Sequence, residues 1–136
     1  MATPNGRTPR LAGVEYTPVI IGALATQGPL CSVPPLAKSV VVTSATTADA
    51  FIVLPSLNSC PNGHEITIVC SAAGNFEMRT PSASAEEINS EDCDGTKEYL
   101  MTDTQVVKVV KINNTIGWMA HGYSAIGAVV TAVVPD

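Results

Sequence analysis

Between Phe51 and Trp118 the chain is a series of short apolar or alternating runs, cut every few residues by turn formers. A chain punctuated this often cannot build long helices, and it constrains the fold to short strands. Lys38 to Thr43 is rich in Val and Thr, as strands are, and Thr46-Thr47-Ala48-Asp49 reads as a turn. Ala50 to Leu54 is a short apolar strand ended by Pro55, and Ser56 to Gly63 is a loop closed by Pro61-Asn62-Gly63. From His64 to Cys70 the pattern alternates, with Ile66, Ile68 and Cys70 on one face and Glu65, Thr67 and Val69 on the other. After the Ala72-Ala73-Gly74-Asn75 turn, Phe76 and Met78 alternate with Glu77 and Arg79. Pro81 to Asp94 reads as a polar excursion, with the carboxylates from Glu86 to Asp94 exposed on a loop. Lys97 to Met101 and Gln105 to Ile112 read as further strands. Asn113-Asn114-Thr115 is a hairpin-type turn into Ile116 to His121. Ile126 to Val134 is a nearly unbroken apolar run, which in a strand implies burial of both faces, one of them by another subunit in a domain this small. No segment has a helical period. The expectation is an all-β fold, a small β-sandwich or barrel-like domain.

The first 36 residues differ. They hold six of the ten prolines, Pro4, Pro9, Pro18, Pro29, Pro34 and Pro35, together with Gly6, Gly13, Gly22 and Gly28. Proline fixes φ and removes a donor, which excludes a helix or a central strand. Yet Leu11, Val14, Tyr16, Val19, Ile20, Ile21 and Leu24 are too apolar for a linker. The segment reads as an extended, Pro-rich N-terminal arm over 1–36, laid along its own domain or a neighbouring subunit, ahead of a β domain over 37–136.

Composition excludes several function classes. Apolar residues make up 46% and charged residues only 14%, so the chain is not disordered and has few charges to cover a free surface. Net charge is −5, and the seven basic residues are scattered, so a nucleic-acid footprint is not expected. No run is long enough to span a membrane as a helix, and the broken start makes a poor secretory signal, so the chain is expected to stay in the cytoplasm where it is made. Cys31, Cys60, Cys70 and Cys93 are then expected as buried reduced thiols, with a Cys60–Cys70 or Cys70–Cys93 bridge as the alternative.

Candidate chemistry is thin. Cys60, His64, Cys70 and Cys93 have the donor types of a zinc site but irregular spacing and no Cys-x-x-Cys pair, so a small zinc-binding protein stands only as an alternative. Glu86, Glu87, Glu91, Asp92, Asp94 and Glu98 are acidic, but the ligand order of a calcium loop is missing. His121 with Ser124, or His64 with Cys60 or Cys70, lacks any supporting nucleophile motif. No enzyme activity, cofactor or metal is expected. Trp118, the one tryptophan, reads as a core anchor, with an interface anchor as the alternative.

The ordered series is a Thr-rich strand, Leu54-Pro55, a loop ending in Gly63, and the strand Ile66-Thr67-Ile68. A Gly74-Asn75 turn, Thr80-Pro81, Glu87-Ile88-Asn89, a valine-rich strand and Trp118 follow. Over about residues 38 to 121 this resembles small β domains of tailed-bacteriophage structural proteins, especially capsid decoration (cement) proteins and head or tail fibre modules. The chain departs from that pattern in having Glu86-Glu87 where a glycine usually precedes the Ile-Asn element, and in a longer acidic insert over Ser90 to Asp94. The resemblance implies a virion structural protein on the capsid surface, assembled in the host cytoplasm. The expected partner is the major capsid protein, and the expected assembly is a homotrimer. A fibre or tail adhesin module binding host glycan is the alternative within that family. The residues expected at the capsid or subunit interface are Tyr16, Val19, Ile20, Ile21 and Leu24 of the arm, then Trp118, and Val129 and Val130 of the last strand.

Overall fold

A computed structural model describes residues 17–47, 49–71, 74–94, 99–102, 104–123 and 129–130. The chain is all-β. In order, the strands are β1 (Val19–Ala23), β2 (Ser39–Ala45), β3 (Phe51–Val53), β4 (Glu65–Cys70), β5 (Phe76–Arg79) and β6 (Glu87–Ile88). β7 (Glu91–Asp92), β8 (Tyr99–Met101), β9 (Val106–Asn113), β10 (Gly117–Tyr123) and β11 (Val129–Val130) follow. A 3₁₀ turn, Leu57–Ser59, interrupts the loop before β4.

Two sheets form. The large one runs β1-β2-β4-β9-β10-β6-β7, with β11 also on β10, and the small one runs β3-β5-β8. In the large sheet β1, β2 and β4 are parallel, while β4, β9 and β10 are antiparallel. The alternation read in the sequence decides which face goes inward. Ile66, Ile68 and Cys70 of β4 are buried beside Val40 and Val42 of β2 and Val107 and Val109 of β9. From the small sheet Ile52, Phe76, Met78, Tyr99 and Met101 meet them, and Trp118 fills the same core without exposed surface. Burying these side chains is the main favourable term, on the order of 1.5–3 kcal/mol for each large aliphatic or aromatic group.

Residues 17–36 lie on their own domain. β1 adds a parallel edge strand to β2, and the chain then crosses to the small sheet. There Leu24 and Phe51 exchange backbone hydrogen bonds of 3.1 and 2.9 Å, Val53 N–H donates to Cys31 O, and Val33 N–H donates to Val53 O. Cys31, Phe51 and Val53 form a second small core with Leu24 packed against it. The Arg79 guanidinium lies 4.1 Å over the Phe51 ring and is held by Glu77 at 2.6 Å. The strap therefore ties the edges of the two sheets together. Pro18, lacking an N–H, and the 25–33 loop blunt the free edge of β1.

Pro81 to Asp94 is more ordered than a polar excursion. β6 and β7 pair as a small hairpin, Ile88 pairs with Trp118, and Ile88 and Cys93 are fully buried. The expectation of an exposed acidic loop fails here because two apolar side chains within the carboxylate run, Ile88 and Cys93, draw the segment onto the core beside β10. Ala83, Ala85, Asn89 and Ser90 all have positive φ, from 53° to 69°, so the segment is bent into place against backbone preference.

Asn89 completes the sheet. Its backbone N–H donates to Trp118 O. Its side chain then acts as another strand residue, with Oδ1 accepting from Ala120 N–H at 2.8 Å and Nδ2 donating to Ala120 O at 3.3 Å. β10 thus has β6 beside Trp118, the Asn89 amide beside Ala120, and β11 beside Gly122 and Tyr123.

Candidate interface

The residues named for candidate chemistry come first. The four cysteines are buried free thiols, as expected, and neither alternative bridge, Cys60–Cys70 or Cys70–Cys93, is formed. The expected zinc donors are occupied separately. His64 Nε2–H donates to Ala37 O at 2.9 Å, Cys60 Sγ donates to Pro35 O at 3.0 Å, and Cys70 Sγ donates to Gly74 O. Among the described residues no three His, Cys, Asp or Glu side chains gather where a metal ion could be held. No helix of the described residues is long and apolar enough to cross a membrane.

One buried polar cluster stands out. Lys111 lies on the inward face of β9, and its Nζ donates to the carbonyls of Leu57 and of Cys60, the latter at 2.6 Å. Leu57 opens the 3₁₀ turn and Cys60 caps its end, and Leu57 N–H donates to Glu86 Oε1 at 3.1 Å. Burial pushes the Glu86 carboxyl above its ordinary value, opposed by the Leu57 N–H bond and the Lys111 charge. The arrangement pins the 57–60 turn between β9 and the 83–90 segment. A polar hollow of about 210 Å³ adjoins it, lined by Asn58, Ser84, Glu86, Glu87, Asn114 and Thr115 among others.

The apolar surface is more telling. Among the described residues the most exposed large hydrophobic side chains are Leu30 at 73%, Leu36 at 71% and Ile20 at 69%. All three belong to the strand and strap at the N-terminal side. Between Val19, Pro34, Leu36 and Ala37 a groove of about 430 Å³ opens at Thr17 and Lys38. Ile20 starts a second feature. It pairs with Val41, Val41 with Val69, Val69 with Val106, and Val106 with Tyr123. This row crosses five strands on the outer face of the large sheet, the face away from the core.

The interface residues expected from sequence divide between these surfaces and the core. Ile20 is exposed and Val19 lines the groove. Leu24 is half-buried against the second core. Ile21 and Trp118 are buried in the main core, Trp118 without any exposed surface, because both fall on the inward phase of their strands. Trp118 is therefore the core anchor, and its expected interface role is corrected. Val129 and Val130 form β11 on the edge of β10. Tyr16, residues 1–15 of the arm, and most of the Ile126 to Val134 strand lie outside the described residues. Sequence reasoning missed Leu30 and Leu36, hidden among prolines, and the Val41-Val69-Val106-Tyr123 row. Val69 read as one apolar residue on a polar face, and only register aligns it with its neighbours.

Compared with models of protein families and with curated proteins, the chain matches none.

Proposed function

We propose that this chain is a virion structural protein, a capsid decoration protein that binds the assembled bacteriophage head and stabilises it without chemistry. The observation that carries the reading is that the three most exposed large apolar side chains among the described residues, Leu30, Leu36 and Ile20, all lie on the N-terminal strand and strap, where Val19 and Leu36 also line a groove. The N-terminal segment, with its groove, is then the binding surface. In this reading the surface lies against the major capsid protein, and residues 1–16 extend the attachment. The protein acts as a homotrimer on the particle surface, assembled in the host cytoplasm, with no nucleic acid or membrane as partner.

The mechanism is mass action. A protein that binds only the assembled lattice stabilises it by its binding free energy. Three attachment points in one trimer raise occupancy through effective concentration. Co-sedimentation with heads of the encoding virus, prepared without this protein, tests the reading. Wild-type protein should saturate the heads, and Leu30→Asp with Leu36→Asp should bind at least tenfold more weakly while keeping the wild-type melting temperature. No saturable binding by the wild type refutes the decoration role.

A fibre or tail adhesin is the second reading. The hydroxyl, amide and carboxylate groups around the 210 Å³ hollow suit sugar hydroxyls. No aromatic ring is among its lining residues, and the volume is below the roughly 300 Å³ at which ligand pockets begin. Glycan-array binding lost on Asn114→Ala would favour it.

A further inference from the structure

We infer that Asn62 is a latent deamidation site, kept from reacting by the turn that Lys111 pins and released when that turn opens.

Asn62-Gly63 combines the two features that spontaneous deamidation needs. The asparagine carboxamide supplies an electrophilic carbon, and a following glycine leaves the attacking backbone nitrogen unshielded by a Cβ. Both residues are exposed, and a Cβ built on Gly63 would meet nothing within 4 Å, so water and base reach the site. The step needs no other reactant. Gly63 N loses its proton to solvent base and bonds to Asn62 Cγ. The Cγ–Nδ2 bond breaks, and the nitrogen leaves as ammonia with a proton from water. Water then opens the five-membered imide at either carbonyl, giving aspartate or isoaspartate.

The fold withholds the nucleophile. Gly63 N–H donates to the backbone O of Lys111 at 2.7 Å, so this nitrogen is engaged with β9. His64 N–H donates to Pro61 O at 3.1 Å, closing a β-turn with Asn62 and Gly63 at its centre. Gly63 has φ 83°, as in a type II turn, where the preceding residue has ψ of about +120°. The imide ring requires Asn62 ψ on the negative side, so the turn must open before the ring can close.

Both flanks of the turn are clamped by the same residue. Lys111 N–H donates to His64 O at 2.9 Å, and the His64 ring bonds Ala37 O. On the other flank the buried Lys111 ammonium donates to Leu57 O and, at 2.6 Å, to Cys60 O. Only the opened turn reacts, so the rate follows the population of that opening. The reaction is one-way. Either product adds a negative charge to the chain's −5, and isoaspartate also lengthens the backbone between the Cys60 and Gly63 anchor points. Neither the turn nor its chemistry depends on the proposed function.

Peptide mapping by mass spectrometry, after incubation of the whole chain in mildly alkaline buffer with reductant, measures conversion of Asn62 to aspartate and isoaspartate. The folded protein should convert Asn62 slower by roughly tenfold or more than the same protein unfolded in guanidinium chloride. Lys111→Ala should speed the folded-state reaction by roughly tenfold, because the carbonyls of Leu57 and Cys60 lose their donor. Conversion should rise in step with hydrogen exchange at Gly63 N–H, and by more than exchange at Ile68 N–H in the middle of β4, which reports global unfolding. If Lys111→Ala does not fold, denaturant below the unfolding transition opens the wild-type turn instead, and conversion should again track Gly63. Equal rates in the folded and unfolded wild type overturn the inference. So does conversion that follows Ile68 exchange, since the gate is then the whole fold and not the turn.

Discussion

Replacing Asn89 by alanine should cost about 3 kcal/mol of stability, although the residue is neither apolar nor fully buried. Its Oδ1 accepts from Ala120 N–H at 2.8 Å, its Nδ2 donates to Ala120 O at 3.3 Å, and its φ is 55°. Alanine removes both bonds and leaves the N–H of Ala120, a buried residue, without that partner, a loss of about 1–3 kcal/mol. It also places a Cβ in the left-handed region without the local polar contacts that let asparagine rest there, about 1 kcal/mol more. Glycine loses the same bonds but not the conformational preference, so Asn89→Gly should be milder by about 1 kcal/mol. Asn89→Asp keeps the acceptor for Ala120 N–H but turns an oxygen toward Ala120 O, and should fall between wild type and alanine. Urea unfolding of the four proteins, followed by Trp118 fluorescence, measures these differences if the slopes agree. An alanine variant within about 0.5 kcal/mol of wild type would refute the strand-mimic role, since that is the usual scatter of surface substitutions. Glycine and alanine variants of equal stability would refute the conformational part alone.

Other expectations follow from the same packing. Trp118→Ala should cost about 3–5 kcal/mol, while Trp118→Phe should cost much less, since the buried indole N–H has no partner; chemical denaturation of both separates them. Lys111→Ala should destabilise by about 2 kcal/mol or more by orphaning the carbonyls of Leu57 and Cys60, with faster amide exchange at residues 57–60 as its signature. The Glu86 carboxyl is raised above its ordinary 4.5 by burial, so the folded state holds its proton where the unfolded state has lost it. Stability should therefore fall as pH rises from about 4.5 through the raised value, and Glu86→Gln should flatten that part of the pH–stability curve. Thiol titration should find four reduced cysteines after unfolding, and reductant should leave the melting temperature unchanged.

The fold was legible because strand period and turn chemistry agree over most of the chain. Ile66, Ile68 and Cys70 turn inward and Glu65 outward as alternation requires, and Asn113 to Thr115 makes the β9–β10 turn. The acidic segment misled because composition averages over it. Ile88 and Cys93 outweigh the carboxylates around them, and Glu86 is drawn in as the cap of a distant turn. Burial of Lys111 was invisible for a similar reason, since its partners are carbonyls more than fifty residues away. The surfaces were legible only in part. Exposed Ile20 belongs to the arm whose apolar content first suggested attachment, but the apolar row exists only once register sets five strands side by side, and register is non-local information.

Thermal release of the genome from heads, with and without this protein, tests the decoration role most directly. Heads lacking the protein should release their genome at a lower temperature than complete heads. Added wild-type protein should restore the higher temperature, and the double variant Leu30→Asp, Leu36→Asp should not. Identical release curves at saturating occupancy would contradict the account.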